Sequence, residues 1–231
     1  MRLGVRVDTV GVGPSHPPII EGQFGYSYDR PARHVREYLT GLRPLLRGEN
    51  VDYHGETLTA AGRVALPGAE PPSVLLAALG PVMLDIAGEL GDGTVTMWTG
   101  PETIGDYLAP RIVQAASRAG RPAPRVVVCV RVSVTADPDG ARDQLATMLG
   151  AAGQLPSYRK ILERQGKPGI HETLVAGDEN IVARAVRSYA DAGATELVVS
   201  PHGDRETQAR TLDVLAALHS AGPTRDSIPQ G

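Results

Sequence analysis

Two short stretches carry residues that could do chemistry. In Ala77-Ala78-Leu79-Gly80-Pro81 small residues lead into a proline, and proline is well tolerated at the first position of a helix. Such a turn leaves backbone N–H groups free at a helix N-terminus, a ready site for a phosphate or another anion. A plain tight turn has the same composition. In Gly11-Val12-Gly13-Pro14-Ser15-His16 an alternating segment ends in a glycine-rich turn, which puts Gly13, Ser15 and His16 at the end of a strand. An imidazole there can hydrogen-bond a ligand or move a proton near neutral pH; a structural loop histidine fits the pattern equally. Gly-Val-Gly is not a dinucleotide fingerprint, because the third glycine and an immediately following helix are missing.

Further candidates stand at other strand ends. Met97, Trp98 and Thr99 close the apolar run from Thr94. Trp98 is the sole tryptophan, suited either to wall a flat ligand or to fill the core. Arg131 sits on the polar side of Arg125 to Thr135, opposite the valines 126, 128, 130, 132 and 134. It faces an anionic group or marks where the strand leaves the core. His202 follows the last strand, where barrels often bind phosphate. Phe24, Tyr26 and Tyr28 share one loop and either pack on a ligand or staple the loop down. The six histidines show no metal-ligand spacing, so no metal is expected. Cys129 is the only cysteine and reads as a buried thiol. Neither a nucleophile elbow nor a phosphate-binding lysine loop occurs.

The elements that must position these residues follow from periodicity. Strands are expected near 3–12, 74–79, 94–98, 126–134 and 195–200, five and at most six. Helices are expected at 29–47, 81–90, 102–120, about 137–165 in two pieces, 178–193 and 206–220, with a small hairpin turning at His54-Gly55. Strand followed by helix, repeated, is the pattern of a parallel sheet. The chain is read as one domain over residues 1–220 with a disordered tail at 221–231. A formal charge of −3 and few aromatics give no reason to bind nucleic acid or a membrane surface. The charged N-terminus and the lack of a long apolar run lead to a cytoplasmic expectation.

The residues quoted above resemble the bacterial luciferase-like superfamily, in particular its members that use the deazaflavin coenzyme F-420. The likeness is carried by Gly11 to Tyr28, Asp29 to Gly48, Ser73 to Pro101 and Tyr189 to Ser200. It implies a (β/α) TIM barrel with the cofactor across the C-terminal ends of the strands. By that comparison Gly11 to His16 ends the fourth strand, and those at 74, 94, 126 and 195 are the fifth to eighth. Met1 to Asp8 resembles a family first strand. The expected barrel is therefore incomplete, lacking strands one to three or two to three.

The resemblance further implies coenzyme F-420, with FMN second, held by Gly13, Ser15, His16, Ala77, Ala78, Leu79, Gly80, Pro81, Met97, Trp98 and Thr99. It makes His16 the catalytic candidate and Arg131, Tyr158 and His202 the substrate candidates. Tyr158 and Arg159 are set to reach the cofactor's acidic tail. The implied activity is hydride transfer between reduced F-420, or FMN, and a small organic substrate. The alternative is a non-catalytic member that at most binds the cofactor and associates through open sheet edges, as a homodimer for instance.

Overall fold

The computed structural model describes residues 8–65 and 67–221. The expected tail beyond 221 and most of the first-strand-like segment, residues 1–7, lie outside them. In chain order the elements are β1 (Thr9–Val12), α1 (Pro17–Ile20), α2 (Pro31–Leu46), β2 (Val51–His54), β3 (Thr59–Gly62), β4 (Ser73–Ala77) and α3 (Pro81–Leu90). Next come β5 (Gly93–Met97), α4 (Pro101–Thr103), a π turn (Ile104–Leu108), α5 (Ala109–Arg118) and β6 (Arg125–Val134). The chain ends with α6 (Pro138–Leu149), α7 (Pro156–Arg164), β7 (Val175–Gly177), α8 (Glu179–Asp191), β8 (Glu196–Pro201) and α9 (Arg205–Ala221).

Six strands form one sheet in the order β1-β4-β5-β6-β7, with β8 also on β6, and every pairing is parallel. β6 carries three neighbours: β5 beside 125–129, β7 beside 132–134 and β8 beside 127–132. Alternate residues of a parallel strand bond opposite sides, and β6 follows that rule. Val126 and Val132 accept from Thr195 and His202 on the β8 side. Arg125 donates to Asp92, on the β5 side. The three-residue β7 is the strand that periodicity did not anticipate; three residues show no alternation.

The two faces of the sheet differ as the valine pattern requires. Val74, Leu76, Val126, Val128, Val130 and Val132 pack with Leu84, Ile104, Leu108, Ile112 and Val182 of the helices in one buried core. On the other face, registered partners stack in layers: Leu75, Gly93 and Arg125, then Ala77, Val95, Val127 and Glu196, then Met97, Cys129 and Val198. Arg125 sits in the lowest of these layers. Its Nε and Nη2 donate to Glu196 of β8 at 2.6 and 2.7 Å, and its Nη1 donates to Thr9 of β1 at 2.9 Å. β1 is three strands away, about 14 Å on a flat sheet, beyond the reach of an arginine side chain. The sheet is therefore curled around Arg125 like a barrel wall. It does not close: among the described residues β1 pairs only with β4, and β8 only with β6. No described helix is long and apolar enough to cross a membrane.

Ile104, Leu108, Ile112 and Ala116 recur every four residues, and all are buried. An ordinary helix turns every 3.6 residues or so, so a strict four-residue stripe drifts off its face. The π turn Ile104–Leu108, with its wider winding, absorbs part of that drift and keeps the stripe on the core. α5 then holds α3 at very short range. A Cβ added at Gly88 would lie 2.7 Å from the Ile112 carbonyl and 2.8 Å from the Ala116 amide. Both contacts are backbone and cannot swing away. Gly88→Ala is expected to lower stability by about 1–3 kcal/mol, the usual cost of overpacking. Gly150→Ala, with nothing within 4 Å, should be near neutral. Thermal melts of the two variants side by side check this.

Candidate functional site

A cavity of ≈ 830 Å³ opens at the C-terminal ends of β1, β4 and β5, beside the middle of β6. That volume lies within the range of small-molecule and cofactor sites. Three strand exits and the middle of β6 form its floor. Gly13, Ser15 and His16 follow β1, Ala77 to Gly80 follow β4, Val95 to Met97 end β5, and Cys129 comes from β6. α7 closes one side with Ser157, Tyr158, Lys160, Ile161 and Arg164, while Met83 of α3 and Tyr107 of the π turn complete it. Eight of the residues expected from the strand-end pattern thus share this one cavity: Gly13, Ser15, His16, Ala77, Ala78, Leu79, Gly80 and Met97.

α3 begins at Pro81, with extended Gly80 as its cap residue and no side chain capping it. The first N–H groups of a helix have no partner within it, and here no hydroxyl or carboxylate takes their place. Gly80 has φ −89°, which any residue adopts, so its conformation does not require glycine. What the missing side chain supplies is room: a Cβ there meets nothing within 4 Å. An uncapped helix start beside free space on a cavity wall fits a phosphate. The apolar lining from Ala77, Met83, Val95 and Met97 fits a flat ring. Pro81 itself is not among the lining residues.

His16 occupies the N-cap position of α1 without a side-chain capping bond. Its Nδ1 lies 3.5 Å from Ser157 Oγ, and its ring meets Tyr158 edge-on at 4.9 Å between centroids. Partial burial lowers the His16 pKa below its usual value, so the ring is neutral at pH 7. Burial also raises the Cys129 thiol and the Tyr158 phenol; both stay protonated and neither acts as an anionic nucleophile. Tyr28, the one aromatic of its loop to line the cavity, donates to the Ser15 carbonyl at 2.9 Å. Ser15 is held in the left-handed region at φ 57°. Phe24 and Tyr26 are exposed and pack on nothing in the cavity.

Five further expected residues lie outside the cavity lining. Trp98 and Thr99 are buried one layer behind the cavity. Trp98 packs with Leu162 and Ile170 and meets Tyr158 edge-on at 6.4 Å, so it backs the wall instead of forming it. Arg131 lies over the Trp98 ring, 5.9 Å from its centroid, outside the cavity. His202 is 3 % exposed and bonded to the Ala141 carbonyl at 3.0 Å; it pins α6 and faces no ligand space. Arg159 pairs with Glu163 on α7 at 3.6 Å, and Lys160 and Arg164 line the cavity instead. Along a short helix with cations at 159, 160 and 164, periodicity alone did not say which face the cavity receives.

The loop behind the cavity is held under strain. Trp98 takes φ 60°, a conformation that costs a bulky residue of order 1–3 kcal/mol. The clamp is Gln165, whose Nε2 donates to the Trp98 carbonyl at 2.8 Å and whose Oε1 accepts from Gly100 N–H at 2.7 Å. Tyr189 donates to the Thr99 carbonyl at 2.9 Å from within the core.

The model of the luciferase-like monooxygenase family matches residues 9–224. The chain belongs to this family. It is 28% identical over 159 residues to 5,10-methylenetetrahydromethanopterin reductase of Methanolobus tindarius, covering 68% of this chain and 48% of that protein. It is 27% identical over 209 residues to F420-dependent glucose-6-phosphate dehydrogenase of Nocardia farcinica, covering 84% of this chain and 61% of that one. The chain thus spans about half to three fifths of these relatives' length.

Among solved structures it is similar to an F420-dependent secondary alcohol dehydrogenase in complex with an F420-acetone adduct. The TM-score is 0.74 at 17% identity over 91% of this chain and 69% of that one. It is also similar to the oxygenating constituent of 3,6-diketocamphane monooxygenase from Pseudomonas putida in complex with FMN. There the TM-score is 0.65 at 15% identity over 90% and 68%. At such identities the likeness is one of fold: the luciferase-like barrel, present here as an open, all-parallel portion.

Gln165→Leu removes three bonds at once, those to Trp98, Gly100 and Ile161. It is expected to cost about 1–3 kcal/mol through the groups left unpaired. The emission of Trp98, the sole tryptophan, should shift to the red as its loop relaxes. Fluorescence spectra and a thermal melt together check this.

Proposed function

We propose that this chain is a luciferase-like oxidoreductase that uses coenzyme F-420, or secondarily FMN, for hydride transfer with a small organic substrate. The observation that carries the reading is the uncapped start of α3, opening beside Gly80 onto an apolar cavity of cofactor size. The family match and the relative named as an F420-dependent dehydrogenase support it. A bound deazaflavin or flavin supplies uptake or delivery of a hydride at its ring.

This chain's residues bind and orient. The first N–H groups of α3 receive the phosphate, with the helix dipole adding about 0.3–1 kcal/mol. Ala77 and Ala78 let the ring approach the backbone, Val95 and Met97 form the apolar bed, and Tyr158 backed by Trp98 sets the far wall. A neutral His16 with Nδ1 near Ser157 keeps Nε2 available for a substrate proton. That arrangement suits acceptance of a proton from a substrate hydroxyl better than its donation.

A second reading, a non-catalytic member that binds the cofactor and associates with another copy, is favoured by the open sheet. Val198 on β8 is half exposed, and β1 and β8 each pair on one side only among the described residues. Turnover by a monomer would exclude it.

Titration of the protein into F-420 is expected to quench or shift the coenzyme's fluorescence at micromolar protein. Gly80→Val, which fills the space at the helix start, should weaken binding roughly tenfold, a loss of about 1.4 kcal/mol. Folded protein that binds neither F-420 nor FMN would overturn the reading.

A further inference from the structure

The inward face of the sheet changes character from one layer to the next. In the layer of Ala77, Val95, Val127 and Glu196, Val127 on β6 is only 4 % exposed. One layer up, Met97, Cys129 and Val198 lie side by side on β5, β6 and β8. Here Met97 is 38 % exposed and Val198 50 %. Met97 and Cys129 line the cavity, and Val198 carries the same layer on beyond them. An apolar surface that begins inside a cavity and stays open to water suits the apolar part of a small ligand.

The polar groups above this layer are neutral and free. The Tyr158 ring meets His16 edge-on at 4.9 Å, and its phenol lies near enough to Cys129 to feel it. Among the described residues neither the Tyr158 hydroxyl nor His16 Nε2 has a hydrogen-bond partner. Burial alone lowers the His16 pKa and raises that of Cys129, and Tyr158 is raised by burial and by Cys129. No ion acts on any of the three. The α3 side of the cavity differs. There the Tyr107 phenol feels Arg164, Arg111 and Asp85, and Arg111 donates to the Pro81 carbonyl at 3.0 Å. One end of the cavity is charged, beside α3, and the other uncharged, beside β6.

We propose that the uncharged end is the substrate subsite and takes an apolar secondary alcohol, its alkyl part on Cys129 and Val198 and its hydroxyl between Tyr158 and His16. This rests on the proposed cofactor reading and names the substrate class for it. Tyr158 donates to the substrate oxygen, and His16 Nε2 accepts the proton that the hydroxyl gives up. The carbinol carbon gives up a hydride, which the oxidised deazaflavin accepts, and the alcohol leaves as a ketone. A sugar phosphate or a carboxylate placed here would meet an apolar floor with no partner for its charge, which is costly. A second copy covering Val198 is the competing occupant. Continuity favours the small ligand, because the exposed layer starts within the cavity.

The test titrates protein labelled at its valine methyls and backbone amides with 2-butanol, 2-hexanol and glucose 6-phosphate, in the presence of F-420. The Val198 methyls and the Cys129 amide should shift saturably with both alcohols and stay unmoved with the sugar phosphate. The apparent Kd should fall roughly two- to fourfold for each added methylene. Val198 is half exposed, so Val198→Asp keeps the core and should erase that dependence on chain length. Tyr158→Phe should weaken both alcohols roughly three- to tenfold and leave the dependence intact. Ketone should accumulate when either alcohol is incubated with oxidised F-420. Alcohols that leave Val198 and Cys129 unmoved, a sugar phosphate that moves them, or bound alcohol that yields no ketone overturns the inference. A parallel titration in which F-420 binds then leaves the cofactor reading standing. Folded protein that binds neither F-420 nor FMN overturns both.

Discussion

The structure depends on β6 more than on any other element. Its ten residues hold β5, β7 and β8 by backbone bonds, while five valines on one side enter the helix-covered core and Arg125 on the other anchors the curl. A strand that alternates this strictly cannot slip by one residue without driving Arg125, Cys129 and Arg131 into the core and the valines out. Register is thereby set for its neighbours, and with it the height along β6 at which β4 and β5 end. The cavity is the consequence. Strand ends brought level by parallel register form its floor, and the helix that follows β4 points its uncapped start at the opening.

The curled but open sheet explains why the site has the walls it has. The bottom is tied by Arg125 to both edge strands, whereas the top is left to loops and α7. There each loop is held by one specific set of bonds. Tyr28 fixes Ser15, Gln165 fixes Trp98 and Gly100, and Tyr189 fixes Thr99. Strain at Ser15 and Trp98, both in the left-handed region, sits beside the cavity and nowhere in the sheet. A backbone that tolerates such positions only where other bonds over-determine them gives that end of the molecule a fixed shape. The aromatic series from Trp98 through Tyr158 to His16 carries the shape to the cavity surface.

Much of this was legible in the chain. The stretch Ser73 to Trp98 reads as strand, turn, helix and strand, and the structure has those elements at 73–77, 81–90 and 93–97. The valine alternation announced a strand with one buried and one polar face, and the strand-end pattern brought His16, Gly13 and the turn before Pro81 to one cavity. What the chain did not disclose depended on side-chain direction and on distant partners. Trp98 was a candidate for the cavity surface, but a positive φ turns it behind Tyr158. His202 follows a strand exit yet finds the Ala141 carbonyl. The pairing of Arg159 with Glu163, and the turn of Lys160 and Arg164 toward the cavity, rest on how α7 packs through Ile161 and Leu162. The absence of acidic residues at 156 to 162 was a readable signal, but only the fold shows which side it serves.

The proposed role of the α3 start is to receive a cofactor phosphate at the mouth of the curled sheet. Amide chemical shifts in nitrogen-labelled protein, followed as F-420 is added, test it most directly. The largest changes are predicted at Gly80, Val82 and Met83, with smaller ones at Ser15 and His16 and none at Thr9 or Arg125 at the lower end of the sheet. Saturable binding with the largest shifts elsewhere, and Gly80 to Met83 unmoved, would rule out phosphate binding at the start of α3.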